Sequence, residues 1–320
     1  MSNPSSMSQL MAVNGNGSEV LGKLVYFSLA NVMVDRDRLR EICESMKIPY
    51  SQGARQTDAN AFRRATTDIK GRITDSGHEY KIYCRENEAD GDVLSKELVK
   101  ETVDVTTNRY AKLANIQFCT STGDLSISNV NFDPVVNPYQ YFQQAEDLFA
   151  KYRRCAGRKH IETITSNMLD AMQAIKINIH GRIYFVPRPQ MEQVALFEDF
   201  VEILNANNLS SCDLTVNSMY VADDAKQRKK MASEFYQSVQ KEVALYQEKV
   251  EYLISSDSRS PAIMYRWINK IDALEQKKRE YEEVLRQDLD RLDDDFKALR
   301  MFCQELAHRA RNLEMQVKAA

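Results

Sequence analysis

The sequence predicts an α+β protein: a mainly antiparallel sheet with flanking helices, followed by a long C-terminal antiparallel helical hairpin of coiled-coil type. Three observations predict it. Residues 79–130 are rich in β-branched and aromatic side chains, with turn clusters such as ADGD and STGD beside them, the pattern of an antiparallel meander. Helical segments occur in pairs, and no βαβ unit repeats. Residues 223–254 contain no Gly or Pro and place apolar residues at alternating steps of four and three, the seam spacing of a coiled coil. The expected organisation is a disordered, Ser/Asn/Gly-rich tail over 1–20, an α+β body over 21–222 and the helical hairpin over 223–320.

In chain order, GKLVYFSLANV (22–32) reads as a buried strand. DRDRLREICESMKIP (35–49) follows as a helix with Leu39, Ile42 and Met46 on one face, capped by Asp35 or Asp37 and ended by Pro49. A second helix covers 57–71, capped by Thr57 or Asp58 and stopped by Gly71. The strands of 79–130 alternate at Val99, Val103 and Val105, and again at Ile116 and Phe118. Helices are expected at about 138–155 and 161–174. IKINIHGRIYFVPR (175–188) is a hairpin turning at His180-Gly181, with Ile183 and Phe185 inward and Arg182 and Tyr184 outward. A helix over 190–206 carries Val194, Phe197, Val201 and Leu204, and CDLTVNSMYVA (212–222) is the last strand.

The hairpin raises a question of length. Its first helix, about 32 residues, spans roughly 48 Å, whereas the second, opened by Ser260 and Pro261 and about 57 residues long, spans roughly 85 Å. Antiparallel pairing exhausts the first helix near residue 293, with Glu275, Lys278 and Glu282 interrupting the seam. Leu292, Phe296, Leu299, Leu306 and Leu313 then lie beyond it, with the same apolar row running on to Val317. Exposed, each would forgo roughly 1.5–3 kcal/mol of burial. Two covers are open: the chain's own α+β body, or a second copy or another protein. The strict sevenfold step favours a helical partner, because a straight helix drifts about 20° per heptad from it.

Composition bounds the rest. The chain has 320 residues, 43% hydrophobic and 28% charged, with net charge −3, which argues against wholesale attraction to nucleic acid or an anionic membrane. Residues 223–320 are themselves neutral, with 19 acidic and 19 basic side chains. No apolar run is long enough to cross a bilayer, and the first residues lack the basic flank and apolar core of a signal peptide. The cysteines at 43, 84, 119, 155, 212 and 303 form no CxxC and read as reduced thiols of a cytoplasmic protein. Histidines 78, 160, 180 and 308 stand alone. No phosphate-loop, dinucleotide, nucleophile-elbow or zinc-protease motif is present, so no catalytic residue, metal or cofactor is expected. Asp290, Asp293, Asp294 and Asp295 read as one charged helix face, since neighbouring positions on a helix do not face each other.

One cluster invites a binding role. KYRRCAGRKH supplies Lys151, Arg153, Arg154, Arg158, Lys159 and His160, FRRAT adds Arg63 and Arg64, and Arg182 and Arg188 flank GRIYFVP. If these converge, they form a basic surface for phosphate, an acidic partner or single-stranded nucleic acid, with Tyr184 and Phe185 nearby. As a solvated helix end, the cations of 151–160 instead oppose the negative end of the helix dipole.

The segments LVYFSLANVMVDRDRLREICESMKIP (24–49), NAFRRATTDIKG (60–71) and GRIYFVPR (181–188) together resemble a family of uncharacterised proteins encoded by bacteriophages and other bacterial mobile elements. The likeness spans roughly residues 20–255. It implies a bacterial cytoplasm and a role in phage infection or in host defence and its evasion; no catalytic residue carries over. The reading that follows is a non-enzymatic interaction or assembly protein that self-associates through its C-terminal coiled coil and binds a protein partner. The second reading is a nucleic-acid-binding protein using the surface around 151–160 and 182–188.

Overall fold

The computed structural model describes residues 20–50, 57–87, 91–103, 109–177, 182–256 and 260–319, the last four of these without their side chains. The expected tail up to residue 19, Val105, the His180-Gly181 turn and the side chain of Val317 lie outside the described residues. The chain is α+β and divides into two compact units. One comprises the described parts of Met1–Ala30, Thr163–Ala206 and Asp213–Ala320; the other comprises those of Asn31–Glu162 and Asn207–Cys212.

The second unit is built on β-rich sequence. A short ribbon pairs β2 (Met33–Asp35) with β8 (Cys155–Gly157), and α1 (Arg36–Ser45) starts where the Asp35 carboxylate accepts the amides of Asp37 and Arg38. Helix α2 (Asp58–Thr67) is capped by Thr57 and ends at Asp68. Strands β3 (Lys70–Asp75), β4 (His78–Glu86), β5 (Val93–Val103), β6 (Arg109–Cys119) and β7 (Leu125–Ser128) form a five-stranded antiparallel sheet in sequence order. Gly71 therefore does not stop a helix; it lies in β3, where a Cβ would sit 2.4 Å from the Tyr141 hydroxyl. That tyrosine belongs to α3 (Pro138–Arg154). Helices α2 and α3 cover one sheet face, where Phe118 packs against Phe62 at 5.6 Å and Phe149 at 5.3 Å. On strands β4 to β6, Arg85 and Lys112 both bind the Glu97 carboxylate at 2.8 Å.

The division between units falls inside α4 (Arg158–Ala171). In the first unit a four-stranded sheet has the order β11 (Thr215–Ala222), β1 (Val20–Ser28), β10 (Ile183–Pro187), β9 (Ile175–Lys176). Its register places Leu24 beside Phe185 and Val25 beside Tyr184, so alternate side chains leave on opposite faces. Gly22 sits next to a bulge, and a Cβ there would lie 2.1 Å from the Val186 carbonyl oxygen. Helix α5 (Glu192–Ala206) lies on one face, with Phe197 edge-on to Phe27 at 5.1 Å. Long helices cover Phe185 on the other.

Here the structure corrects the length argument. Helix α6 (Ala225–Ser255) is as expected, but the following segment is not one long helix. Helix α7 (Pro261–Leu285) ends at Arg286, which takes the left-handed conformation (φ 51°), and α8 (Asp293–Ala319) follows a single 3-10 turn. Tyr246–Trp267 and Phe235–Tyr281 contacts run α7 antiparallel to α6. Glu275–Arg300 and Tyr265–Glu314 contacts run α8 antiparallel to α7. With 31, 25 and 27 residues the three helices are of similar length. Nothing overhangs. Leu292, Phe296, Leu299 and Leu306 are buried and Leu313 is partly buried, all in one core with α6 and α7. The seam reading of 285–313 holds as burial, but the cover is the chain's own helices, so an exposed edge no longer calls for a second copy.

The break is built from named contacts. Asp223 holds Arg228 and, at 3.3 Å, Arg286. Glu282 accepts the Leu289 amide at 3.0 Å, and Lys278 bridges Glu282 at 2.6 Å and Asp293 at 3.1 Å. Leu289 and Leu292 fill the turn with buried side chains. Asp293, Asp294 and Asp295 occupy the first turn of α8, where carboxylates meet the positive end of the helix dipole.

Tyr281 ties this bundle to the sheet. It is fully buried between Phe235 (4.5 Å) and Phe185 (6.1 Å), and its hydroxyl donates to the Gln173 carbonyl at 2.9 Å. Burial holds that hydroxyl well above the usual tyrosine range, so it stays a donor.

Leu299→Ala and Leu306→Ala, at fully buried positions, should each lower stability by about 2–5 kcal/mol in urea unfolding and leave the mass from light scattering unchanged. Unaltered stability with a changed mass would return these leucines to an interface between chains.

Candidate functional site

The expected basic surface is largely neutralised from within. Arg153 pairs with Asp58 at 3.0 Å, Arg154 with Asp35 at 2.7 Å and Arg158 with Glu162 at 2.8 Å. Lys159 also has a partner within the chain. Arg153 additionally lies over Phe149, and Arg64 over Tyr152 at 4.2 Å. Lys151 is exposed. Arg182 packs over Phe27 at 5.7 Å, and Arg188 sits in a partly buried 3-10 turn; both belong to the first unit, whereas 151–159 belong to the second. In the acidic run at 290–295, Asp293 pairs with Lys278 and Asp294 with Lys297.

A different feature stands out, one the sequence reading missed. The segment joining β7 to α3 projects Phe132, which is 93% exposed, with Tyr139 at 57% and Val130 at 37% beside it. These residues and Pro134 line an open groove of about 510 Å³. Single exposed apolar residues are ordinary on a protein surface, but a cluster around a concavity marks a contact site.

The projection is rigidly held because both neighbours of Phe132 are anchored. On one side the Asn131 amide donates to the Leu113 carbonyl at 2.8 Å, and its side chain donates to the Lys112 carbonyl at 2.9 Å. On the other, one Asp133 carboxylate oxygen accepts the Val135 and Val136 amides at 3.0 and 2.9 Å. The other oxygen pairs with Lys100, and both side chains of that pair are nearly buried. Lys100 also lies over the Tyr80 ring. Val136 enters the core, and Asn137 caps α3 with Pro138 at its first position. Burial alone would push the Asp133 carboxyl up; the Lys100 ammonium and the two amides outweigh it and hold it below the usual aspartate range.

Chemically, the loop is an apolar knob with an aromatic neighbour on a fixed backbone. Aromatic anchors of this kind dominate protein–protein binding energy, and a fixed backbone avoids part of the ordering cost of association. The site holds no nucleophile–base pair. Among the described residues, no group of three His, Cys, Asp or Glu side chains is placed to hold a metal ion.

Residues 20–312 match a family described as a family of unknown function, DUF6744. No curated protein and no solved structure matches the chain.

Lys100→Met should leave the Asp133 carboxylate buried without a counter-charge and cost about 3–5 kcal/mol at pH 7. Because folding depresses the Asp133 pKa, the wild-type contribution is complete above the ordinary aspartate value near 4 and fades as pH falls below it. The stability gap between the two proteins, measured by urea titration, should therefore narrow in acid. A gap independent of pH would place the effect elsewhere than in this ion pair.

Proposed function

Since the chain belongs to the DUF6744 family, whose function is unknown, we propose its function from geometry: it is an interaction protein that docks another protein through the Phe132 loop. The single observation that carries this reading is a fully projecting phenylalanine whose flanking residues are pinned to the core by hydrogen bonds and a buried ion pair. Leaving an aromatic ring in water forgoes roughly 1.5–3 kcal/mol, and the fold holds it there without the freedom to tuck it in. The partner offers an apolar cavity to the ring, and an extended apolar segment of it lies along the groove beside Tyr139.

The resemblance of 24–49, 60–71 and 181–188 to phage-encoded proteins supports a setting in the cytoplasm of an infected bacterium, in infection or in the contest with host defence. The leucine row of the C-terminal helices, buried inside the chain, gives no support to self-association, although Leu245, Tyr252, Met301 and Met315 on the same helices are exposed. The nucleic-acid reading is weakened by the pairing of Arg153, Arg154 and Arg158 with carboxylates, while Lys151 stays exposed.

Phe132→Asp should leave thermal unfolding unchanged, as surface substitutions do within about 0.5 kcal/mol, while abolishing partner retention when wild type and variant are purified side by side from infected cells. Equal retention by both proteins would reject the loop as the docking site. A concentration-dependent dimer that the substitution dissolves would make the partner a second copy. Filter retention of nucleic acid at low salt, lost on adding salt, would favour the second reading instead.

A further inference from the structure

A second concavity lies inside the first unit and shares no lining residue with the Phe132 groove. It is a cleft of about 220 Å³ between the end of α4 and the adjoining faces of α6 and α7. Its polar lining consists of Asp170 and Gln173 from the α4 end, Glu242 and Tyr246 from α6, and Lys270 and Lys277 from α7. The cleft thus carries two carboxylates and two ammonium groups around one small space.

The way these charges are partnered is unusual. Among the described residues no ion pair within 4.0 Å joins any two of the four, although Asp170 and Lys277 act on each other electrostatically across the cleft. Lys277 donates to the Ala174 carbonyl at 2.8 Å, in the turn that follows α4. Glu242 accepts one hydrogen bond, from the Tyr246 hydroxyl at 2.9 Å. Lys270 lies over the Trp267 ring at 4.8 Å. Burial pushes the Lys277 ammonium below the usual lysine range, although Glu242 and Asp170 act in the opposite direction. Burial likewise raises the Tyr246 hydroxyl, which therefore remains a donor. Asp170 and Lys270 stand at the exposed rim, whereas Lys277 and Glu242 are partly buried and each already makes one hydrogen bond. Here opposite charges ring a cavity without closing on one another.

We propose that this cleft binds a small zwitterion of the free α-amino-acid class, its carboxylate taken by Lys270 and Lys277 and its ammonium by Asp170 and Glu242. A ligand bearing both signs can pair with both walls at once, whereas a simple anion or cation answers only one pair. The volume is below the roughly 300–1,000 Å³ of sites for drug-sized ligands, which limits the occupant to about this size. Gln173 adds an amide able to donate or accept, and the buried Leu274 at the cleft wall favours an apolar side chain on the ligand. The site is separate from the Phe132 loop and stands whether or not that loop docks a partner.

The test is thermal unfolding and titration calorimetry of the full chain against the twenty standard L-amino acids, with acetate and methylamine as one-signed probes. An apolar amino acid should bind saturably and raise Tm by several degrees at about 100 times its Kd, while acetate and methylamine at the same concentration should not. Lys270→Ala and Asp170→Asn alter exposed rim positions and keep the fold; each should weaken binding at least tenfold. No Tm shift with any amino acid would overturn the proposal. Undiminished binding in both variants would also overturn it, and so would acetate binding as tightly as the best amino acid.

Discussion

The reversal of the chain at Arg286 is the constraint on which the rest of the first unit depends. Without it, α7 and α8 would run on as one rod and leave a row of leucines in water. With it, α8 returns along α7 and the row becomes the interior of three helices. The reversal is held by the Asp223–Arg286 pair, by the Glu282 cap on the Leu289 amide and by Lys278 between Glu282 and Asp293. A left-handed residue outside glycine carries a local cost, which these contacts and the burial of Leu289 and Leu292 offset. The buried leucine row therefore offers no surface of its own to a partner.

The same bundle explains the polar cleft. After α4 the chain turns at Gln173, which takes a positive φ of 53°, and Tyr281 and Lys277 of α7 donate to the Gln173 and Ala174 carbonyls of that turn. Tyr281 is enclosed and apolar in its surroundings, with Phe185 and Phe235 against it. One turn earlier, Lys277 meets Asp170, Glu242 and Tyr246 instead, and the packing opens into a cavity. Adjacent turns of one helix thus do different work: one fastens helices to sheet, the other leaves charges facing a space.

Much of the architecture was legible from the residues. Alternation and turn clusters gave the meander, and the helical segments α1, α2, α3, α5 and α6 were expected, with caps as observed at Asp35 for α1 and Thr57 for α2. The reversal was not. The leucine row keeps its step through 285–292, so periodicity alone cannot see a break that preserves burial. The signal was in the charges: Asp288, Asp290 and Asp293–Asp295 crowd a residue type of low helix propensity, and three of them begin α8. Read as one face of a continuous helix, they hid a helix start. The partners of Arg153 and Arg154 were not legible either, since Asp58 and Asp35 are distant in sequence. Phe132 was passed over because a lone phenylalanine in a strand-rich region is usually core; its exposure follows from the anchoring of Asn131 and Asp133, which only the fold reveals.

The folded-back arrangement of α8 is tested most directly by a distance between residues 265 and 314, measured by double electron–electron resonance with spin labels on noncanonical residues. In the structure the Tyr265 hydroxyl lies 3.5 Å from a Glu314 carboxylate oxygen across 49 residues of sequence, so a short, narrow distance distribution is expected. A continuous helix would separate the two sites by roughly 74 Å. A distance of that order would contradict the reversal and return the leucine row to solvent or to a second chain.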